Sequence, residues 1–136
     1  MKGLAILGIL VAVLVVIVIN PSMVAHPVLD WAKQNPQVES APEVVFDTAR
    51  FCQFLTDGDT AIELYEYLYQ KYPDNKALCA PAMYYCGQIK QESGYIKVIR
   101  MQAIPYLQIV LDQYSDQAQW VAKAQQLMSE VNGDHP

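Results

Sequence analysis

Between residues 59 and 74 apolar side chains return with a helical period. Ala61, Tyr65, Leu68 and Tyr72 stand at i, i+4, i+7 and i+11, one face at 3.6 residues per turn. Pro73 stops this helix, and Asp57-Gly58-Asp59 supplies the turn and cap before it. The pattern returns over residues 101–116, where Ala103, Leu107, Val110, Tyr114 and Asp116 take the places of Ala61, Tyr65, Leu68, Tyr72 and Asp74. A helix that recurs and closes on a Tyr-Pro-Asp or Tyr-Ser-Asp turn predicts a stacked helical array.

The same periodicity predicts three further helices. Residues 42–56 carry Val45, Phe46, Ala49 and Cys52, with Pro42 at the start, where a missing N–H costs nothing. Residues 77–91 place Leu78, Ala82, Tyr85 and Ile89 on one face, and Ser93-Gly94 ends them. Residues 95–101 connect onward as a loop or as an early extension of the next helix, which runs from about 102 to 114 with Pro105 in its first turn. The last spans 116–131 on Trp120, Ala124, Leu127 and Val131, with Asn132-Gly133 as its stop.

The amino terminus follows another rule. After Met1-Lys2, residues 3–19 are apolar without a break. About 17 residues rise ~26 Å, short of the ~30 Å hydrocarbon core, and bilayer thinning or extension through Val24 would close the gap. A signal peptide has a shorter apolar run and a small-x-small cleavage site, whereas the site after Met23-Val24-Ala25 has a large residue at −3. Residues 1–25 therefore read as an uncleaved single transmembrane helix, with Gly3 and Ile19 bounding its apolar run. Gly8 and Ala12 form a small-xxx-small pair. Lys2 precedes the span, while Asp30 and Lys33 cancel after it, so the positive-inside rule leaves the amino terminus cytoplasmic and the rest periplasmic or otherwise extracytoplasmic.

Four of the eight prolines fall within residues 21–42, so residues 26–42 read as a Pro-rich linker and not as core. Trp31 sits there either at headgroup level or packed on the domain or a partner. Residues 43–132 form the helical domain and 133–136 a tail.

Composition narrows the chemistry. A net charge of −5 supplies no basic stripe for nucleic acid. His26 and His135 lie in the linker and the tail, with no Cys or carboxylate at metal-ligand spacing. Cys79 and Cys86 stand about 10.5 Å apart along one helix, too far for a disulfide, while Cys52 is within reach of either across adjacent helices. No phosphate-binding loop, dinucleotide turn, zinc motif or nucleophile elbow is present, and neither histidine is placed to serve a cysteine nucleophile. The expectation is a non-enzymatic protein without cofactor, metal or small-molecule substrate.

These residues resemble the tetratricopeptide (TPR) repeat, whose units pair two antiparallel helices, A and B. Ala49 is similar to the small residue of helix A and Ala61 to that of helix B, with Tyr65 and Leu68 as packed contacts and Pro73 as terminator. In a second unit Leu78, Ala82 and Tyr85 suit helix A. Ala103 comes about nine residues late, which makes residues 93–101 an insertion, and Ser115 replaces the proline. A final helix carries Trp120, Ala124 and Leu127. The resemblance implies an all-α chain of five array helices, about two and a half repeats, like membrane-anchored envelope TPR proteins of bacteria.

That family lines its concave groove with helix A, which implies a partner site at Phe46, Arg50, Gln53, Lys76, Cys79, Met83, Cys86, Lys90, Val121, Gln125 and Met128. Such a groove suits an apolar peptide carrying acidic groups. Cys79, Met83 and Cys86 read equally as core between helices. Among the tyrosines, Tyr67 and Tyr84 fall off the apolar stripes and are candidates for a contact surface. The function implied is protein–protein binding, as a scaffold or accessory subunit of a membrane-associated complex. An independent periplasmic adaptor or chaperone-like receptor for transient peptide clients is the alternative, and a secreted module with a cleaved leader a third.

Overall fold

The computed structural model describes residues 2–94 and 96–133, with side chains from Ile6 onward. Met1, Tyr95 of the 95–101 connection, and the end of the expected tail with His135 lie outside the described residues. The chain is all-α, with no strand among the described residues. In order run α1 (Lys2–Ile19), α2 (Ser22–Gln34), α3 (Ala41–Phe54), α4 (Gly58–Lys71), α5 (Lys76–Ser93), the single turn α6 (Lys97–Arg100), a 3-10 turn (Met101–Ala103), α7 (Ile104–Gln113) and α8 (Ala118–Asn132).

Short turns with side-chain caps fold these helices back on one another. The Asp57 carboxylate accepts from the Thr60 N–H at 3.3 Å and opens α4, and the Asn75 side chain accepts from the Leu78 N–H at 3.3 Å and opens α5. The end of α3 is tighter. Thr56 stands at φ 63°, and its neighbour Asp57 donates its N–H to the Cys52 carbonyl at 2.9 Å. A left-handed residue after a helix is usually glycine, so the β-branched Thr56 holds strain there.

Each array helix packs on the next, and α5 also touches α3 and α8. Alanines make this close approach possible: Ala49, Ala61, Ala82, Ala103 and Ala124 are fully buried. Around them Val45, Leu64, Tyr65, Leu68, Leu107 and Val110 form one continuous core. Gly87 lets α5 and α7 meet, since a Cβ there would stand 2.7 Å from Leu107 Cδ2. At one end of the array two tyrosines tie successive turns together. The Tyr72 hydroxyl donates to the Pro36 carbonyl at 3.3 Å, and the Tyr114 hydroxyl to the Pro73 carbonyl at 3.0 Å.

Two expectations need correction. The Pro-rich linker contains α2, which packs on α3 and α4 and buries Ala25, Leu29 and Ala32 in the common core. Pro27 lies inside this helix on its exposed side, which leaves Ala25, Leu29 and Ala32 as an unbroken buried stripe. The amino-terminal helix does not extend through Val24: α1 ends at Ile19 and α2 departs from it at 78°. Among the described residues no single helix is long and apolar enough to cross a membrane. Ile6–Ile19 and Ser22–Gln34 pass that measure only as a bent pair. Among the described residues no other helix packs closely on Gly8, since a Cβ there would meet nothing within 4 Å.

Candidate binding groove

A groove of about 430 Å³ opens between α3, α5 and α8. Arg50, Gln53 and Phe54 form one wall, Tyr84, Tyr85, Gln88 and Glu92 the floor, and Lys123 the other wall. Beneath it runs a seam of aromatic rings contributed by four helices, α3, α4, α5 and α8. Phe46 meets the Tyr65 ring at 5.7 Å, Tyr65 stacks on Tyr85 at 5.9 Å, and Tyr84, Tyr85 and Trp120 lie mutually at 5.6 Å. These separations fall within the range where edge and offset contacts between rings are favourable.

Two cations are fixed on this seam. The Arg50 guanidinium lies 4.1 Å from the Tyr85 ring centre and donates to Gln53 Oε1 at 2.9 Å. The Tyr65 hydroxyl donates to the same oxygen at 3.1 Å, so Gln53 joins the buried phenol to the guanidinium. Lys123 Nζ lies 4.5 Å from the Trp120 ring centre. Each ring face is thus covered by a charge that stays open to solvent. Burial holds the Tyr65 phenol well above its ordinary value, against the opposing pull of Arg50, and also raises the Tyr84 phenol. Both remain neutral hydrogen-bonding groups near pH 7.

Of the residues expected to line this groove, the structure brings Arg50 and Gln53 to it, with Phe46 in the ring seam beneath. Lys90 borders an adjoining cavity of about 620 Å³, which shares Gln53 and Glu92 with the groove. Cys79, Met83 and Cys86 must be corrected: all three are core residues closed to a partner. Lys76 lies at the far end of α5, where Nζ pairs with Asp116 Oδ2 at 2.7 Å. On α8 the groove is lined by Lys123, with Trp120 in the ring seam beneath it. Val121, Gln125 and Met128 lie outside the groove's lining, and Met128 packs on the core. Tyr84 lines the groove, whereas Tyr67 faces Leu29, Lys33 and Glu63 between α2 and α4.

Sequence reasoning missed Phe54, Tyr85, Gln88, Glu92 and Lys123 as groove residues, and Trp120 as part of the seam beneath them. Phe54, 82% exposed at the end of α3, carried the clearest signal, because so large an apolar side chain does not belong past the buried stripe. The thiols take no part. Cys52, Cys79 and Cys86 are free and buried. Burial pushes Cys52 up to about 11, with Asp57 adding to the effect, and raises Cys79 and Cys86 as well. Such thiols stay protonated and unreactive near neutral pH. Among the described residues no group of three or more His, Cys, Asp or Glu side chains is placed to hold a metal ion. No protein-family model matches the chain, and no curated protein or solved structure is significantly similar to it.

Proposed function

We propose that this chain is a non-enzymatic, membrane-anchored helical-repeat module of TPR type that holds a protein partner in the groove between α3, α5 and α8. One observation carries the reading: an aromatic seam with two fixed cations opens onto a cleft of peptide size. Rigid aromatic rings give contact area at little entropic cost, and the cations select acidic groups beside an apolar stretch. The repeat reading is supported by the buried alanines at Ala49, Ala61, Ala82, Ala103 and Ala124, and by the packing of α5 on the alternate helices α3 and α8.

In this reading α3 and α4 form the first unit, α5 and α7 the second, and α8 the closing helix. α1 anchors the module. Its 18 residues rise about 27 Å, so the surrounding bilayer thins by roughly 3 Å. The amino terminus is cytoplasmic and the array extracytoplasmic, where it serves as an accessory subunit of a larger membrane complex.

The test is co-purification from native membranes in mild detergent. The Arg50→Glu and Trp120→Ala variants should lose the partner by tenfold or more, while circular dichroism reports an unchanged helical content. A partner retained at the parent level by both folded variants removes the groove from the interface.

A further inference from the structure

A second unpartnered surface lies away from the groove, where α1 leaves the array. The inner angle of the 78° bend encloses about 450 Å³, bordered by Ile9, Val13, Val16 and Ile17 of α1 and by Met23 and Val24 of α2. No polar side chain enters it. Met23 also begins a stripe along α2 that continues at i+4 and i+8 through Pro27 and Trp31. All three are exposed, Met23 at 58% and Trp31 at 38%, while Ala25, Leu29 and Ala32 face the core. The stripe therefore looks toward the side from which α1 departs, with its back to the array.

We propose that α2 is an interfacial helix: Met23, Pro27 and Trp31 rest on the bilayer surface, and acyl chains fill the angle between α2 and α1. The inference rests on the anchoring role of α1 proposed above. With α1 along the membrane normal, the 78° bend leaves α2 within about 12° of the membrane plane, so the whole stripe meets the interface together. Lipid is the occupant because α1 is apolar on every side, with Ile6, Leu7, Ile9 and Leu10 all 59–63% exposed. A helix that docks in a protein groove keeps a polar face for solvent, and this one has none. Trp31 has the amphipathic ring that settles at headgroup level, and Asp30 and Lys33 beside it remain in water. The array then rises from α2 through α3 and α4 to α8, and the groove stands clear of the membrane.

The experiment uses the full chain in vesicles of phosphatidylcholine and phosphatidylglycerol. Trp120→Phe leaves Trp31 as the sole tryptophan, and Trp31→Phe leaves Trp120. Lipids brominated high on the acyl chain should quench most of the Trp31 emission and leave Trp120 unchanged. Carbonate extraction of the same vesicles reports on α1 separately. A chain that resists extraction while Trp31 stays unquenched overturns the interfacial assignment and leaves the anchor standing. A chain that carbonate releases overturns both. Trp31 unquenched by lipid yet shielded from iodide in native membranes assigns the stripe to a protein partner, which also overturns the proposal.

Discussion

Replacing Gly87 by alanine should loosen the joint between α5 and α7 although alanine is the better helix former. The intrinsic preference favours alanine by about 0.8–1.0 kcal/mol in a helix interior. Against it stands the contact across the joint: the new Cβ would lie 2.7 Å from Leu107 Cδ2 and 2.9 Å from Leu107 Cγ, with the Ala103 carbonyl oxygen at 3.5 Å. Leu107 is fully buried, so its side chain cannot swing out to solvent to make room. Overfilling a packed site costs about 1–3 kcal/mol, so the net effect is a loss of roughly 0–2 kcal/mol. Urea unfolding of the full chain in mild detergent, followed by circular dichroism, measures it. Leu107→Ala provides the control, because it removes the obstructing atoms at a cost of about 2–5 kcal/mol of its own. In that background Gly87→Ala should change sign and stabilise by about 1 kcal/mol. A gain of about 1 kcal/mol in the parent background as well would refute the close approach of α5 and α7 at Gly87.

Thr56→Gly should stabilise the array by about 1 kcal/mol, because glycine adopts the left-handed conformation that Thr56 is forced into at φ 63°. An unchanged or lower urea midpoint would show that Thr56 gains more from its surroundings than its backbone loses. Tyr114→Phe removes the hydroxyl donated to the Pro73 carbonyl and should cost about 1 kcal/mol. A midpoint equal to the parent's would mean that water replaces that bond at no cost.

Where one apolar stripe faced one core, the sequence was readable. Ala61, Tyr65 and Leu68 announced α4, and Ala103, Leu107 and Val110 announced a helix over about 102–114, of which α7 is the α-helical part and Ala103 lies in the 3-10 turn before it. α2 was obscured because Pro21, Pro27 and Pro36 read as a spacer. Yet Ala25, Leu29 and Ala32 stand at i, i+4 and i+7, and a proline on the outward side of a helix leaves that stripe intact. On α3 the expected positions Arg50 and Gln53 do line the groove, since the apolar stripe Val45, Ala49 and Cys52 is what that helix buries. On α5 the reading was out of phase, since that helix packs against α3, α4, α7 and α8 together. With so many neighbours its buried stripe widens to take in Cys79, Met83 and Cys86, and the groove keeps only Tyr84, Tyr85, Gln88 and Glu92. Trp120 misled for a related reason, being a half-buried ring whose apolar character is the same at the core and at the groove.

The paired tyrosine ties carry a consequence for how the array comes apart. Tyr72, just past the end of α4, reaches back to Pro36 ahead of α3, and Tyr114, just past α7, reaches back to Pro73 ahead of α5. Each bond therefore joins the close of one helix pair to the turn that opened it, so a pair cannot shed its second helix without releasing its own entrance. In a linear stack, where each unit has its own stability besides its contact with its neighbours, such latches add to the stability of the unit they close. Each pair is therefore expected to melt whole, with fraying beginning at α8, which lies beyond the last latch.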